Sequence, residues 1–382
     1  MGALTITDVE AYVLEAPGDY GVIKGVDSHG PKHMCVIRVQ TDAGIDGWGQ
    51  VETQPHVVKA IIDAPGEASG VFSGLRSLAL GEDPCQVERL WDKLFLGSFY
   101  YGRRGAALQA ISGIDLACWD IFGKHTGLPV SVLLGGRRRE TVRAYASTLF
   151  RDTPDEVRDA GEEYVERGFT AVKFGWGAFG QDLRTDVALA EAARAGVGEE
   201  TALMIDAGWR RRKTAKQAIE MVHAIEHVRP HWVEEPCFPE DYETFRRLSE
   251  SVEVNIAAGE AETTMWSFRQ LAEQGRVDIL QPDLSRCGGL TVARRIAHLA
   301  DDLNVLVVAH SWGSDILTAA SLHYSAFLKC ETFLEFNTSA DPLSRELAKN
   351  PLEVHDGHVA VPDTPGLGIE PDLEAIARYR IA

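Results

Sequence analysis

The sequence predicts a parallel α/β barrel with a smaller α+β domain attached, and three observations support this fold class. Eight short apolar runs alternate with amphipathic helical segments between residues 141 and 336, as in a barrel of parallel strands. The chain has 382 residues, enough for one large barrel and an appendage. Its first 50 residues alternate like antiparallel strands instead. A doubly wound open sheet is the alternative, but no Gly-x-Gly-x-x-Gly follows a strand and the number of strands favours closure.

Composition and charge exclude several classes of protein. Hydrophobic residues make up 45% and charged residues 25% of the chain, which is ordinary globular usage. The net charge of −19 argues against binding to nucleic acid or to an anionic membrane. No apolar run approaches membrane-spanning length, and the N-terminus carries acids where a signal peptide would be basic. Six scattered cysteines without a Cys-x-x-Cys pair indicate reduced thiols, so we expect a cytoplasmic protein.

The N-terminal segment predicts a small antiparallel meander. Apolar residues alternate from Ile6 to Val13, and the turn signal Asp42-Ala-Gly separates two later runs. Residues 20–33 interrupt the meander with a glycine-punctuated loop. This loop is either a solvated surface loop or a mobile lid over a site. As a lid it would bring candidate substrate contacts, which are Tyr20, Lys24, His29, Lys32 and His33.

Helical spacing from residue 84 to residue 126 predicts the rest of the attached domain, and Lys124-His-Thr-Gly provides its C-terminal cap. We expect this domain to cover residues 1–130, the barrel residues 137–350, and a returning segment residues 351–382. The predicted barrel helices include Pro154–Arg167, Asp186–Ala195, Lys213–His227 and Leu290–Leu303.

Charged residues stand at the end of nearly every predicted barrel strand. Buried parallel strands are usually continuous hydrophobic runs, and the carboxyl ends of barrel strands meet at the mouth where active sites lie. A single strand-end acid often only caps the next helix, but a charge on consecutive strands is hard to explain in that way. The strand-end residues are Lys173, Asp206, Glu234 or Glu235, Glu260, Asp283, His310 and Glu335.

Three of these acids predict a metal site. Asp206, Glu234 and Glu260 are separated by 28 and 26 residues, one strand–helix repeat each. Converging carboxylates repel and raise one another's pKa, which a divalent cation relieves. Oxygen ligands without His or Cys favour Mg²⁺ over Zn²⁺. Glu235 competes with Glu234, because neighbouring strand residues point to opposite faces.

Asp283 and His310 predict a general base on the next two strands. A carboxylate bonded to one imidazole nitrogen fixes the tautomer and raises the basicity of the other nitrogen. Lys173, across the barrel, can neutralise a bound carboxylate. Glu335 can hydrogen-bond that carboxylate or donate a proton.

The chain resembles the mandelate racemase subgroup of the enolase superfamily over essentially its full length. The resemblance is carried by the segment 113–136, Met204-Ile-Asp-Ala, Val233-Glu-Glu-Pro, Ala258-Gly-Glu, Ile279-Leu-Gln-Pro-Asp and the histidine 27 residues after that aspartate. It implies an α+β capping domain and a (β/α)₇β modified TIM barrel. It also implies Mg²⁺ on Asp206, Glu234 and Glu260, the base pair His310–Asp283, Glu335 at the substrate carboxylate, and a homo-oligomer.

Two positions depart from the family pattern. Members commonly carry Lys-x-Lys at the end of the second barrel strand, where the second lysine is a base on the face opposite the histidine. Here the stretch is Lys173-Phe174-Gly175, which argues against racemisation because that reaction needs a base on each face. Gly208 stands where members often have asparagine, so the surroundings of the metal differ.

We therefore expect a Mg²⁺-dependent dehydratase of a sugar acid, an aldonate or aldarate, that gives a 2-keto-3-deoxy acid. Two readings stand beside it: a racemase, epimerase or lactone cycloisomerase of the same superfamily, and a metal-free binding protein that kept only the fold. Trp176 and Trp312, next to strand ends, are further candidate substrate contacts. Neither nucleic acid nor a membrane is expected as a partner.

Overall fold

The structure is a computed structural model that describes residues 2, 4–20, 30–209 and 212–382. Its N-terminal part, which we call the cap, is a three-stranded antiparallel sheet covered by helices. The strands are β1 (Ile6–Ala16), β2 (Lys32–Thr41) and β3 (Asp46–Val51), and the helices are α1 (Pro55–Asp63), α2 (Leu75–Ala79), α3 (Val87–Gly97), α4 (Phe99–Gly102), α5 (Ala106–Thr126) and α6 (Val130–Leu133). The predicted meander is confirmed. Gly127, left-handed with φ 72°, ends α5 as expected.

The barrel follows as eight parallel strands joined by helices. The strands are β4 (Thr141–Leu149), β5 (Ala171–Gly175), β6 (Ala202–Asp206), β7 (Trp232–Glu234), β8 (Asn255–Ala258), β9 (Ile279–Leu280), β10 (Leu306–Val307) and β11 (Leu334–Asn337). The helices are α7 (Pro154–Glu166), α8 (Leu183–Val197), α9 (Ala215–Ile225), α10 (Tyr242–Ser249), α11 (Thr264–Gln270), α12 (Gly289–Leu303) and α13 (Asp315–Phe327). The tail adds β12 (His358–Ala360) and α14 (Leu373–Tyr379).

Local sequence explains where barrel helices begin. Thr153 accepts a hydrogen bond from the backbone of Glu156, whose side chain bonds back to the backbone of Thr153, and Pro154 occupies the first turn. Thr214 and Gln217 repeat this reciprocal arrangement at the start of α9. Such capping boxes satisfy backbone N–H groups that have no partner inside the helix.

The sheet curls into a barrel in the order β10-β9-β8-β7-β6-β5-β4-β11. Between its two ends, β10 and β11, the Thr332 hydroxyl donates to the Val307 carbonyl at 2.7 Å and the Ser311 N–H donates to Glu335 at 2.6 Å. The interior is filled by one buried residue at each strand: Tyr145, Ala171, Met204, Trp232, Ala257, Ile279, Val308 and Phe333. The predicted fold class, a modified TIM barrel with a capping domain, is confirmed.

Strand alternation places the polar groups directly above this apolar layer. Side chains two residues further along a strand point to the same face, so Lys173 stands above Ala171 and Asp206 above Met204. The other positions in the same register are Ser147, Glu234, Gln281, His310 and Glu335. The charged strand ends therefore face the interior of the barrel at its carboxyl end.

The cap and the tail both pack on the barrel and on each other. Helix α5 lies against β3 and α12. In the tail, β12 pairs with β4, and the last residues pair with β1, where the Ile381 N–H donates to the Val13 carbonyl at 2.9 Å. The six cysteines are free thiols. In the described part of the chain no helix is both long enough and apolar enough to cross a membrane.

Candidate active site

A cavity of about 210 Å³ opens at the carboxyl ends of the barrel strands, beneath the cap. Its lining combines carboxylates, cations, a histidine and two indole rings. The lining residues are Lys32, Glu52, Ser147, Thr148, Leu149, Lys173, Gly175, Trp176, Asp206, Glu260, Arg286, His310, Trp312 and Glu335. Most of the residues selected from the strand ends therefore meet in one place.

Asp206, Glu234 and Glu260 form a buried group of carboxylates. Each offers an oxygen, and these oxygens all lie within 4.8 Å of one another. Burial, and then the charge of Glu234, raise the pKa of Asp206 well above its ordinary value. The pKa of Asp206 stays high although Lys173 is close. One lysine therefore does not compensate the repulsion within this group of carboxylates. Three oxygen donors in this arrangement fit a hard divalent cation such as Mg²⁺.

The structure distinguishes Glu234 from Glu235. Glu234 points into the barrel, where its Oε2 accepts hydrogen bonds from Trp232 Nε1 at 3.0 Å and Gln281 Nε2 at 2.8 Å. Glu235 has a left-handed backbone with φ 45° and turns towards β8, where its Oε1 accepts from the Gly259 N–H at 3.0 Å. Only Glu234 belongs to the group of three carboxylates.

Lys173 joins this group to Glu335. Its Nζ lies 2.6 Å from Glu234 Oε1 and 3.0 Å from Glu335 Oε1. Burial opposes the charge on Lys173, but Glu234 and Glu335 outweigh burial and hold its pKa well above the ordinary value. Burial also opposes ionisation of Glu335, yet Lys173 and His310 lower its pKa to about 2. Glu335 is therefore an anion, and Ser147 Oγ donates to it at 2.7 Å.

His310 and Asp283 form the expected pair. His310 Nδ1 lies 2.7 Å from Asp283 Oδ2, and Nε2 faces Glu260 at 3.2 Å. Burial disfavours the imidazolium, but Glu335, Glu260 and Asp283 raise the pKa of His310 to about 10. Both residues lie just beyond the ends of β9 and β10, joined by an isolated parallel bridge. The pair thus presents Nε2 to the cavity and leaves Nδ1 bound to a carboxylate.

The two departures from the family pattern have physical consequences. A Cβ atom at Gly175 would lie 2.7 Å from Asp206 Cβ and 2.8 Å from its Oδ2. A longer side chain at this position would therefore displace the Asp206 carboxylate. Gly208, with φ 60°, donates its backbone N–H to Asp206 Oδ1 at 3.0 Å, so main chain rather than an amide side chain holds this carboxylate.

Several residues of the site were not predicted. Glu52 of the cap and Arg286 of the barrel pair at 3.0 Å across the two regions. Ser147 and Gln281 hold the carboxylates of Glu335 and Glu234. The signal available for Ser147 and Gln281 was strand alternation, since each stands two residues beyond a residue of the apolar layer.

The predicted substrate contacts have different outcomes. Trp176, Trp312 and Lys32 line the cavity. Tyr20 and His33 are not among the lining residues: the Tyr20 hydroxyl donates to the Pro17 carbonyl at 3.4 Å, and His33 Nε2 lies 3.0 Å from Glu15. Lys24 and His29 lie outside the described residues, as does most of the 20–33 loop. The roles of these residues in binding stay predictions.

Two family models match the chain. "Mandelate racemase / muconate lactonizing enzyme, N-terminal domain" covers residues 12–135, and "Enolase C-terminal domain-like" covers residues 156–376. Among solved structures, a putative mandelate racemase from Bordetella bronchiseptica RB50 superposes with a TM-score of 0.90 at 32% identity, over 99% of this chain and 95% of the other. The 3,6-anhydro-D-galactonate cycloisomerase from Zobellia galactanivorans superposes with a TM-score of 0.87 at 32% identity, over 99% and 100%.

Curated relatives act on sugar acids or their lactones, according to their names. D-galactarolactone cycloisomerase from Agrobacterium fabrum is 35% identical over 99% of both chains. Arabinonate dehydratase from Saccharolobus solfataricus is 31% identical over 95% of this chain and 96% of its own. D-galactonate dehydratase from Variovorax paradoxus is 32% identical over 89% of both. Sequence, fold and site geometry agree, and the chain belongs to the enolase superfamily, in its mandelate racemase subgroup.

Proposed function

We propose that this protein is a Mg²⁺-dependent dehydratase of a sugar acid, which removes the proton next to the carboxylate and expels the β-hydroxyl as water. The observation that carries the proposal is one cavity lined by His310, two of the three clustered carboxylates and Lys173, with Asp283 bonded to His310 behind the cavity wall. The names of the dehydratase relatives support the same class of substrate.

His310 is the group that moves the proton. Asp283 holds Nδ1, so the lone pair of Nε2 faces the cavity once the charge of Glu260 is compensated. Nε2 takes the α-proton, and the electron pair of the broken C–H bond passes into the substrate carboxylate to give an ene-diolate. When that electron pair returns, the β-carbon–oxygen bond breaks. The imidazolium gives its proton to the departing oxygen, so water leaves and an enol remains, which tautomerises to the 2-keto-3-deoxy acid.

Lys173 stabilises the negative charge that develops on the substrate carboxylate. It is buried and held by Glu234 and Glu335, so its ammonium needs no reorganisation during the reaction. Asp206, Glu234 and Glu260 would hold Mg²⁺, which when bound supplies positive charge to the same developing oxyanion. Glu335, an anion in this site, accepts hydrogen bonds from Ser147 and Ser311 and keeps Lys173 in place rather than acting as an acid.

A lactone or ring-ether cycloisomerase is the second candidate, and the full-length similarity to a galactarolactone cycloisomerase favours it. The proton chemistry is the same in both candidates. If the departing β-oxygen is part of a ring, bond breaking opens the ring and releases no water, so the net reaction is an isomerisation. A racemase fits less well, because Gly175 offers no second base on the face opposite His310, and even a Cβ at that position would lie 2.7 Å from Asp206 Cβ.

The deciding experiment is a screen of open-chain and lactone forms of mono- and dicarboxylic sugar acids with Mg²⁺ in D₂O. We expect a 2-keto-3-deoxy acid from at least one substrate, seen by NMR. Faster turnover of a lactone than of the open acid would select the cycloisomerase. Epimerised substrate that keeps all its hydroxyls would contradict both candidates.

Metal dependence separates an enzyme from a metal-free binding protein. Chelation should abolish turnover and added Mg²⁺ should restore it. Mg²⁺ should also raise the unfolding temperature of the wild type, because it binds only the folded chain, and this rise should disappear in Asp206→Asn. Full activity in excess chelator would contradict the metal assignment.

A further inference from the structure

Ser285 connects the cap to the general base. It lies two residues after Asp283 and is fully buried. Its backbone N–H and its hydroxyl both donate to Asp283 Oδ1, at 2.7 and 2.6 Å. The other carboxylate oxygen, Oδ2, is thereby left to face His310 Nδ1 at 2.7 Å. Ser285 therefore fixes the rotation of the carboxylate that orients the base.

The hydroxyl of Ser285 is itself oriented by the cap. The backbone N–H of Glu52, which directly follows β3, donates to Ser285 Oγ at 3.1 Å. Because a hydroxyl carries one proton, an oxygen that accepts from Glu52 directs its own proton to Asp283. The next residue, Arg286, binds the same residue of the cap, because its Nε donates to the Glu52 carbonyl at 3.0 Å. A continuous series of hydrogen bonds thus runs from the cap backbone to His310.

We propose that Ser285 is a positioning residue through which the seated cap holds Asp283 and His310 in their reactive orientation. This inference rests on the proposed function for its kinetic part. Its consequence is that the cap contributes to the proton-transfer step and not only to the walls of the cavity.

The test compares the loss of this hydroxyl with the loss of another that also joins cap and barrel. Ser112 of α5 is buried, and its Oγ accepts from the Gly288 N–H at 2.9 Å, in the same segment as Ser285 but away from Asp283. Ser285→Ala and Ser112→Ala each remove one buried cap–barrel hydrogen bond. Ser285→Thr keeps a hydroxyl that can donate to Asp283.

Two readouts are needed for each variant. The first is the low-field NMR resonance of the His310 Nδ1 proton in ¹⁵N-histidine-labelled full-length protein with Mg²⁺ alone, assigned by its absence in His310→Asn. The second is kcat and KM on the sugar acid found in the screen. In Ser285→Ala we expect the resonance to shift or broaden and kcat to fall about 10- to 100-fold, the range known for losing an outer hydrogen-bond partner of a metal ligand, with KM little changed. Ser112→Ala should keep the resonance and kcat, and Ser285→Thr should recover them.

An unchanged resonance and kcat in Ser285→Ala, with a fall in unfolding temperature equal to that of Ser112→Ala, would overturn the proposal. If Ser285→Ala does not fold, Ser285→Cys keeps the volume with a weak donor and is judged by the same outcomes. The resonance is measured without substrate. Failure of the proposed function would therefore appear as a wild type without turnover, while the positioning role is still decided by the resonance.

Discussion

The mouth of the barrel and the seam between cap and barrel both bury carboxylates, but they surround them with different groups. At the mouth, Asp206, Glu234 and Glu260 converge, and the pKa of Asp206 is raised by burial and by its neighbours. At the seam, where α5 and the tail meet α12 and α13, burial also raises the pKa of Asp115, to about 7, but hydrogen-bond donors hold that carboxylate. Thr291, for example, donates its hydroxyl to Asp115 at 2.6 Å and accepts from Trp119 Nε1 at 2.9 Å.

The difference shows which region has a function beyond stability. Charges that repel one another are unfavourable in the folded state unless a ligand compensates them. At the seam, Asp115, Trp119 and Thr291 satisfy one another's hydrogen bonds without a ligand. Substitutions at the mouth should therefore reduce activity more than stability, and substitutions at the seam should do the reverse.

The largest expected effect is at the mouth, in His310→Asn. Without an imidazole the chain loses its general base, so turnover and exchange of the substrate α-hydrogen with deuterium should fall by about 10²–10⁴-fold or more. The unfolding temperature should change little. NMR of the substrate in D₂O measures the exchange. Exchange at the wild-type rate would reveal a second base and move the assignment towards a racemase or epimerase.

Gly175→Ala tests the packing around the metal group. The added methyl would approach Asp206 Cβ to 2.7 Å, and the shift it forces should weaken Mg²⁺ binding by about 10- to 100-fold, as perturbation of the surroundings of a metal ligand does. A titration of activity against Mg²⁺ measures this, with saturating Mg²⁺ as the control that should recover most of the rate. An unchanged Mg²⁺ requirement would mean that Asp206 is not a ligand.

Strand alternation explains how much of this mouth the sequence could predict. Lys173, Asp206, Glu335 and the His310–Asp283 pair were predicted because each strand ends with a polar group beyond an apolar run. The choice between Glu234 and Glu235 could not be made from alternation alone. The chain leaves its regular path at Glu235, where φ is 45°.

The contacts between cap and barrel could not be predicted from the sequence, for a different reason. Glu52 bonds to Ser285 across 233 positions of the chain, and no local pattern specifies that meeting. That contact depends on how the cap packs against the barrel. The barrel itself was predictable because its repeats are local. The boundaries of its shortest strands were not, and β9 and β10 have only two residues each.

Thr291→Val tests the seam. The substitution keeps the shape but leaves Asp115 and Trp119 Nε1 without their partner hydroxyl, so we expect a loss of about 1–3 kcal/mol in the free energy of unfolding and an unchanged kcat. Denaturant unfolding measures the loss. Thr126→Val is the control, because Thr126 donates only to carbonyls of its own helix, and its effect should stay within about 0.5 kcal/mol. A fall in kcat without loss of stability in Thr291→Val would contradict the expectation that seam substitutions reduce stability more than activity.

The smallest effect is a pH dependence of the free energy of unfolding, which comes from a buried histidine at the seam. His323 on α13 accepts from the Ser131 N–H at Nδ1 (3.3 Å), so Nε2 carries the proton and faces the Leu367 carbonyl at 3.2 Å. Burial lowers the pKa of His323 to about 4 from its ordinary value of 6.5. Between these two values His323 binds a proton in the unfolded chain and not in the folded chain, so its contribution to stability falls as the pH falls from about 6.5 to about 4.

His323→Gln, which offers an acceptor and a donor but does not titrate, should flatten this part of the curve. The substitution can remove at most the slope that one bound proton causes, which is about 1.4 kcal/mol per pH unit. The measurement is the free energy of unfolding at several pH values between 4 and 7.5, read as the slope difference between variant and wild type, so that other groups cancel. His355→Gln, at a histidine whose side chain is 76% exposed, should leave the slope as it is. Equal slopes in wild type and His323→Gln would mean that folding does not lower the pKa of His323, and below that pKa the seam would then hold a buried charge of the kind that distinguishes the mouth.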